Sequence, residues 1–334
     1  MDARVAVPVR TGQRHVVQLE TRLNTEPAGS GLPQGMAAGI AAGLGAGAFW
    51  GTTFIAPLLL PEVGHTDLTV GRYLASALFS LGFLLFTGLR GQLRLPTARQ
   101  ALDALWLSVL GYTGYYLLLV WAIEAAGAAL PALIIGTIPL WLMLLGKPKH
   151  LRWAALLPGL FLTATGLGLM VMASHDGAGA DGPRLWVGMG WALLAMASWT
   201  AFGLLNARWM RQHPDVDSTL WANWLGVAAG LGALLLWMVD GSPLSALLGR
   251  PDFGLYVAVC AITGIGAAWV ASVLWNMASR RLSTSLAGQL IVSETVFALI
   301  YAFAWEGDWP APFQVLACVL FLAGILASIK AHRA

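Results

Sequence analysis

Long apolar runs alternate with short polar segments along almost the whole chain. Each run has about 19 to 26 residues, which at about 1.5 Å per residue in a helix crosses a hydrocarbon core of roughly 30 Å. Ten runs can be marked, at approximately 36–60, 66–89, 101–123, 127–146, 151–173, 185–207, 217–239, 252–277, 283–305 and 312–330. Because they are continuously apolar, they predict helices, not the alternating strands of a membrane barrel.

Composition agrees with this pattern. Hydrophobic residues make up 58% of the chain and charged residues 10%, whereas a soluble domain has about 25% charged residues. The sequence therefore predicts an all-α membrane protein with ten transmembrane helices. Residues 1–34 are polar and lack the apolar core of a cleavable signal peptide, so we expect a disordered cytoplasmic tail there.

The basic residues predict the orientation in the membrane. If the N-terminus is inside, all but Arg72, Arg184 and Arg250 of the 19 Lys and Arg residues fall on the inner side. Inner loops of membrane proteins carry such an excess of Lys and Arg. We expect a multi-pass protein of the cell inner membrane with both termini in the cytoplasm.

A short motif midway along the first run is repeated about 150 residues later. Residues 48–54 read AFWGTTF and residues 197–202 read ASWTAF. Since five helices are an odd number, a second copy must enter the membrane in the opposite direction. The sequence predicts two inverted five-helix repeats, 36–173 and 185–330, with a central site where they face each other.

Several residues together resemble the ten-helix EamA-type exporters of the drug/metabolite transporter superfamily, over residues 36–330. They are Phe49-Trp50-Gly51-Thr52, Gly71-Arg72-Tyr73-Leu74, Pro139, Trp199, and Glu306 with Gly324. Lys147 departs from the family, which often has an acidic residue there. The set Trp199, Phe202, Asn206 and Trp275-Asn276 is similar to the aromatic amino-acid exporter branch.

The resemblance implies a secondary transporter that exports amino acids or related small metabolites by alternating access, with some aromatic preference. A carrier of drugs, quaternary amines or nucleotide sugars is the alternative. We expect a small-molecule substrate and the lipid bilayer as partners, and no nucleic acid. The sequence leaves the oligomeric state open.

Polar and aromatic residues inside the apolar runs are the candidates for a substrate cavity. They are Trp50, Thr52, Arg72, Tyr112, Tyr115, Tyr116, Trp199, Asn206, Trp269, Ser272, Asn276, Gln289 and Glu294. Packing between helices is the alternative for the aromatic and amide residues, and interhelical hydrogen bonding for the tyrosines. Arg72 either reaches the outer surface toward Asp67 or binds a substrate carboxylate.

Local helix features complete these predictions. Gly35, Gly39, Gly43, Gly47 and Gly51 form a ridge for close helix packing. Pro131 and Pro139 produce either a gating hinge or a fixed kink. Glu294 either stays neutral in a hydrogen bond or carries a proton. Tryptophans near helix ends, among them Trp209 and Trp221, are expected in the membrane interface.

Enzyme motifs are missing from the sequence. It contains neither H-E-x-x-H nor G-x-S-x-G, and Gly146-Lys147 lacks the earlier glycine of a phosphate loop. Cys260 and Cys318 fall inside apolar runs, and the six histidines fall outside them. We therefore expect a protein that is not an enzyme and has no cofactor and no metal site.

Overall fold

The computed structural model describes residues 34–91, 93–145, 153–177, 182–281, 290–307 and 309–333. Within these ranges the chain is helical and has no strand, and its longer helices group into ten segments. The predicted tail lies outside the described residues except for Gln34, where the first helix begins.

We number the segments α1 to α10, and three of them consist of shorter pieces. Their bounds are α1 Gln34–Leu59, α2 His65–Leu89, α3 Ala98–Ser108 with Val109–Thr113 and Gly114–Ala126, α4 Ala129–Ile135 with Ile138–Leu145, α5 Trp153–Gly177, α6 Gly182–Gln212, α7 Ser218–Asp240, α8 Phe253–Ala261 with Ile262–Val270 and Ala271–Arg281, α9 Ser293–Glu306 and α10 Pro312–Arg333. A short helix, Leu244–Leu248, lies between α7 and α8.

Six helices are long and apolar enough to span a membrane, among the residues that the structure describes. They are 35–59, 65–89, 98–126, 183–210, 219–240 and 253–275, and shorter apolar helices cover 129–142, 157–173 and 312–327. The all-α class is thus confirmed. The count of ten membrane spans stays a prediction, because the shorter helices fall below the length that fixes a span on its own.

The glycine ridge of α1 packs directly against α9. A Cβ atom on Gly51 would lie 2.9 Å from the backbone N of Ala298, and Gly47 is equally close to the Ser293–Glu294 backbone. Side chains larger than hydrogen would therefore push the two helices apart. The four-residue spacing predicted this contact correctly.

Helices α5 and α10 pack through matching small residues. Gly166 faces Ala317 and Phe321 of α10, while Gly324 faces Gly159 and Thr163 of α5. A separation of 158 residues relates Gly166 to Gly324, Gly159 to Ala317 and Thr163 to Phe321. The two helices run antiparallel, and each contact has a counterpart at the equivalent residue of the other helix.

The same correspondence holds for several other helix pairs. Helices α1 and α8, α1 and α9, and α2 and α8 pack together, as do α6 and α3, α6 and α4, and α7 and α3. Each helix has an equivalent in the other half: α1 corresponds to α6, α2 to α7, α3 to α8 and α4 to α9. If every helix is exchanged for its equivalent, the first three pairs become the last three. The pairs α2 with α7 and α5 with α10 convert into themselves. The repeat bounds 36–173 and 185–330 stay a prediction.

Two of the predicted interface tryptophans are instead buried. Trp209 and Trp221 are 6% and 3% exposed and stack with ring centres 3.5 Å apart. The prediction for these two residues was wrong, because nearness to a helix end does not determine which way a side chain faces. Trp141, Trp186, Trp305 and Trp309 are exposed, as expected of interface residues.

Candidate functional site

Arg72 of α2 is the buried cation at the centre of the candidate site. It is 7% exposed, and its Nε and Nη1 atoms have no hydrogen-bond partner among the described residues. Its guanidinium carbon lies 4.0 Å from the centre of the Tyr116 ring and 5.3 Å from that of Tyr73. The aromatic faces attract the cation but supply no acceptor for Nε or Nη1 within the described part of the chain.

Arg72 and Asp67 are both described by the structure, but no ion pair joins them. Asp67 Oδ1 accepts a hydrogen bond from the backbone N of Ser242 (2.9 Å), and its carbonyl accepts one from Tyr256 (2.9 Å). Asp67 therefore connects α2 to the segments that follow α7. The alternative in which Arg72 reaches outward to Asp67 is wrong, because no ion pair joins these two residues, and the alternative of a substrate carboxylate stays a prediction.

Tyrosines from two helices surround Arg72. The Tyr73 ring meets those of Tyr112 and Tyr116 edge-on, at 5.9 and 6.1 Å between centres. Tyr115 and Tyr116 are buried, and the Tyr116 hydroxyl has no partner among the described residues. Because the α3 tyrosines are three and four residues apart, they share the helix face that the spacing predicts.

Glu294 brings a carboxylate to the same region from α9. It lies within electrostatic range of Arg72 and Tyr115, but no ion pair within 4.0 Å joins Glu294 to Arg72 in the described chain. Glu294 stands in the first turn of α9, where a carboxylate interacts favourably with the helix dipole. Arg72, the tyrosines and Glu294 form what we call the central cluster.

A row of aromatic rings connects Trp199 to this cluster. Ring centres are 6.0 Å apart for Trp199 and Phe202 and 5.6 Å apart for Phe202 and Tyr112. Ser198 Oγ also donates to the Leu110 carbonyl (2.7 Å), within the π-helical part of α3. The α6 motif is thereby fixed against α3.

The α1 motif makes the corresponding contact with α8. Phe49 lies against Gly266, in the π-helical part of α8, and the rings of Trp50 and Trp275 are 5.7 Å apart. π-Helical turns inside α-helices are frequent at functional sites. Trp50 therefore pairs with an aromatic side chain of α8, whereas Trp199 is linked to the central cluster.

Two other candidates, Thr52 and Ser272, lie away from the cluster. Thr52 lines a groove between α1 and α9 together with Tyr301 and Trp305. Ser272 is exposed and donates to the Ala268 carbonyl (2.6 Å).

Trp269 and Asn206 make contacts between helices. The Trp269 ring lies 4.9 and 6.4 Å from those of Phe79 and Phe83 on α2. Asn206 Oδ1 accepts a hydrogen bond from Trp221 Nε1 (2.8 Å). Gln289 lies outside the described residues, and of Asn276 only the backbone is described. Substrate contact by these residues stays a prediction.

Helix α4 is interrupted between its two prolines. Its pieces end at Ile135 and resume at Ile138, and Thr137 Oγ1 donates to the Ile134 carbonyl (2.6 Å) at the break. Pro131 is buried, and Pro139, without a backbone N–H, follows the break. Whether this segment is a hinge or a fixed kink stays open.

Polar contacts that no sequence pattern predicts connect the segments at one end of the bundle. Thr66 Oγ1 donates to Asp240 (2.6 Å), and Arg250 makes two 2.8 Å bonds to Asp252 and one of 2.9 Å to the Glu62 carbonyl. The Arg250 hydrogen bonds lower the pKa of Asp252 below its ordinary value. These contacts join α2 to α7, and the loop before α2 to the segment before α8.

Metal coordination finds no support in the described residues, where no three His, Cys, Asp or Glu side chains converge. The site therefore consists of a cation, aromatic rings, hydroxyls and one carboxylate. Such groups bind and orient a polar organic molecule.

Comparison with known proteins places this fold among transporters. The sequence model of the EamA-like transporter family matches residues 37–172 and again 186–329. The inner membrane protein YtfF of Escherichia coli (strain K12) is 29% identical over 296 residues, which are 84% of this chain and 92% of that protein. A protein of known crystal structure covers 88% of this chain and 97% of its own, with a TM-score of 0.61 and 20% identity, a likeness of fold alone.

These similarities agree with the apolar helices in indicating a multi-pass protein of the inner membrane. The match to the aromatic amino-acid exporter branch stays a prediction. Since the family model matches most of the chain in two copies, the protein belongs to the EamA-like transporter family of the drug/metabolite transporter superfamily.

Proposed function

We propose that this protein exports amino acids or related small metabolites, with a preference for aromatic side chains, by alternating access. The observation that carries the proposal is Arg72, a buried cation whose Nε and Nη1 atoms have no partner among the described residues. A guanidinium suits a carboxylate because its planar fork donates two parallel hydrogen bonds. A bound carboxylate would satisfy the donors that the protein leaves free.

The surroundings of Arg72 support the preference for aromatic side chains. Tyr73, Tyr112 and Phe202 present ring faces and edges between Arg72 and Trp199. Aromatic pairs of this kind contribute about 0.5 to 1.5 kcal/mol beyond the burial of their area. A substrate held at Arg72 would therefore gain most from an aromatic side chain that extends along this row.

The paired packing of the helices supports alternating access. In inverted-repeat transporters the substrate site lies at the repeat interface, and one bundle rocks against the other. Arg72 lies in the first half of the chain and Glu294 in the second. A substrate amine at Glu294 and a carboxylate at Arg72 would bridge the halves, so binding would bias their relative position.

The alternative is a carrier of drugs, quaternary amines or nucleotide sugars. Glu294 favours the amine form of this alternative, because a carboxylate near aromatic rings attracts an organic cation. In that case Arg72 would serve only to balance the charge of Glu294, and a substrate carboxylate would be unnecessary.

Counterflow in proteoliposomes separates these functions. Vesicles loaded with unlabelled phenylalanine, alanine, phenylalanine amide, tetraethylammonium or a uridine diphosphate sugar would be tested for uptake of the same labelled compound. We expect phenylalanine to be exchanged fastest and its amide at least tenfold more slowly. The amide lacks the carboxylate and therefore loses the charge-assisted hydrogen bonds to Arg72. Rapid exchange of the amine or the nucleotide sugar without amino-acid exchange would disprove the proposal.

Arg72→Lys provides the matched test of the site itself. The lysine keeps the charge but loses the fork, so amino-acid exchange should fall while residual transport no longer distinguishes phenylalanine from its amide. Arg250→Lys is the control, because Arg250 bonds to Asp252 and to the Glu62 carbonyl and does not belong to the central cluster.

A further inference from the structure

A second cleft lies at the end of the bundle where α3 begins and α6 ends. It has a volume of about 580 Å³ and is lined from α3 by Arg99 and Asp103 and from the end of α6 by Arg208, Gln212 and His213. Small-molecule sites occupy roughly 300 to 1,000 Å³. Asp103 precedes Tyr112 by nine residues of α3, or roughly 13 Å, so the cleft is separate from the central cluster.

The charges of this cleft favour an anion. Neither Arg99 nor Arg208 has an ion pair or hydrogen bond within the described part of the chain. Asp103 is the acidic residue of the lining, but its carboxylate accepts hydrogen bonds from Trp106 Nε1 (3.3 Å) and Trp209 Nε1 (2.9 Å). Two guanidinium groups are thus available for a ligand beside a carboxylate already held by indoles.

The floor of the cleft is fixed by stacked rings. His213 lies on Trp209 with ring centres 4.1 Å apart, and Trp209 lies on Trp221. Because a carbonyl can only accept, the 3.0 Å contact between His213 Nδ1 and the Trp209 carbonyl places the proton on Nδ1. His213 Nε2 is then an acceptor, so Arg99 and Arg208 are the groups of this cleft that can donate to an anion.

One flank of the cleft is apolar and exposed. Leu102 and Trp106 of α3 are 64% and 42% exposed, and Leu205 of α6 is 37% exposed. Residues 99, 102, 103 and 106 share one helix face. Cationic groups therefore lie directly beside a surface suited to hydrocarbon chains.

We propose that this cleft binds the headgroup of an anionic phospholipid, with its phosphate at Arg99 and Arg208 and its acyl chains along Leu102 and Trp106. Phosphate and arginine match in charge and geometry, and basic clefts between membrane helices bind such headgroups. A soluble phosphate ester has the same anionic group but gains nothing from the apolar flank.

Lipid retention by the purified protein tests this assignment. The detergent-solubilised full chain would be titrated with phosphatidylglycerol, phosphatidylcholine or glycerol 3-phosphate, and the bound lipid measured by native mass spectrometry. The variant Arg99→Gln/Arg208→Gln is compared with Arg94→Gln/Arg281→Gln, which removes the same charge from exposed positions outside the cleft. Quenching of tryptophan fluorescence by brominated phosphatidylglycerol provides a second readout near Trp106 and Trp209.

We expect wild type and control to retain phosphatidylglycerol but not phosphatidylcholine, and the Arg99/Arg208 variant to bind it on the order of 30-fold more weakly. An equal loss in the control would mean general surface attraction and would overturn the site. Displacement of the lipid by equimolar glycerol 3-phosphate would assign the cleft to a soluble anion. Normal lipid retention with impaired substrate transport would make it part of the transport path.

Discussion

The guanidinium carbon of Arg72 lies 4.0 Å above the centre of the Tyr116 ring, and both side chains keep polar atoms without partners. Burial of a charge costs several kcal/mol even after relaxation, whereas a cation–π contact returns about 0.5 to 2 kcal/mol. The cost of burying Arg72 therefore exceeds the gain from its cation–π contacts, so this position lowers the stability of the folded protein. Such a position is expected where the missing partner is a ligand.

Arg72→Met should accordingly separate stability from function. Methionine fills a similar volume without a charge, so we expect an unchanged or higher Tm together with loss of amino-acid exchange. Thermal unfolding in detergent and counterflow in proteoliposomes measure the two effects. A large fall in Tm would instead assign Arg72 a structural role.

The position of Arg72 was only partly predictable. The depth of Arg72 in α2 follows from the hydrophobic pattern. The hydrogen bonding of Asp67, however, depends on Ser242, which is 175 residues away in the chain. A sequence pattern gives no information on such a distant contact. The tyrosine face of α3 was predictable because it depends on local spacing alone, whereas its neighbours Tyr73 and Glu294 come from other helices.

The two glycines of α5 make a matched pair for testing the contact with α10. A Cβ on Gly166 would lie 2.6 Å from the Ala317 carbonyl oxygen, whereas one on Gly168 meets nothing within 4 Å. Gly166→Ala should therefore destabilise the protein by about 1 to 3 kcal/mol through overpacking. Gly168→Ala should be neutral or slightly stabilising, since alanine is the better helix former.

Thermal unfolding of both variants gives the answer. A lower Tm for Gly166→Ala alone supports the close contact of α5 and α10. Equal values would mean that the helices separate without cost, which contradicts the packing described above.

Reporter fusions test the inverted repeat. Fusions after Arg94, Lys149, Arg211 and Arg281 should report a cytoplasmic location, and fusions after Asp181 and Asp308 an external one. This pattern follows from the Lys and Arg distribution and from two repeats of five helices with opposite orientations. A cytoplasmic signal after Asp181 would be incompatible with the repeat.

The interior contacts of the two halves are difficult to derive from the sequence alone, because similar motifs meet different side chains. The motif around Trp50 is similar to that around Trp199, but Trp50 pairs with Trp275 while Trp199 leads through Phe202 to Tyr112. Equivalent positions thus have different neighbours.

Glu294→Gln distinguishes a substrate contact from a proton carrier. Glutamine keeps the shape of the side chain and its capacity for hydrogen bonds but cannot titrate. Because Arg72 remains to bind the carboxylate, we expect substantial facilitated amino-acid transport by this variant, with little change in its pH dependence. Transport is measured in proteoliposomes with and without an imposed pH gradient.

Glu124→Gln is the control, since Glu124 lies at the end of α3, where its carboxylate is 3.7 Å from His65. It should transport like the wild type if only the central carboxylate matters. A Glu294→Gln protein that still exchanges substrate but loses accumulation against a gradient would show that Glu294 carries the coupled proton. Because exchange needs no net proton movement, that result would separate coupling from binding, and Glu294 would no longer be a substrate contact alone.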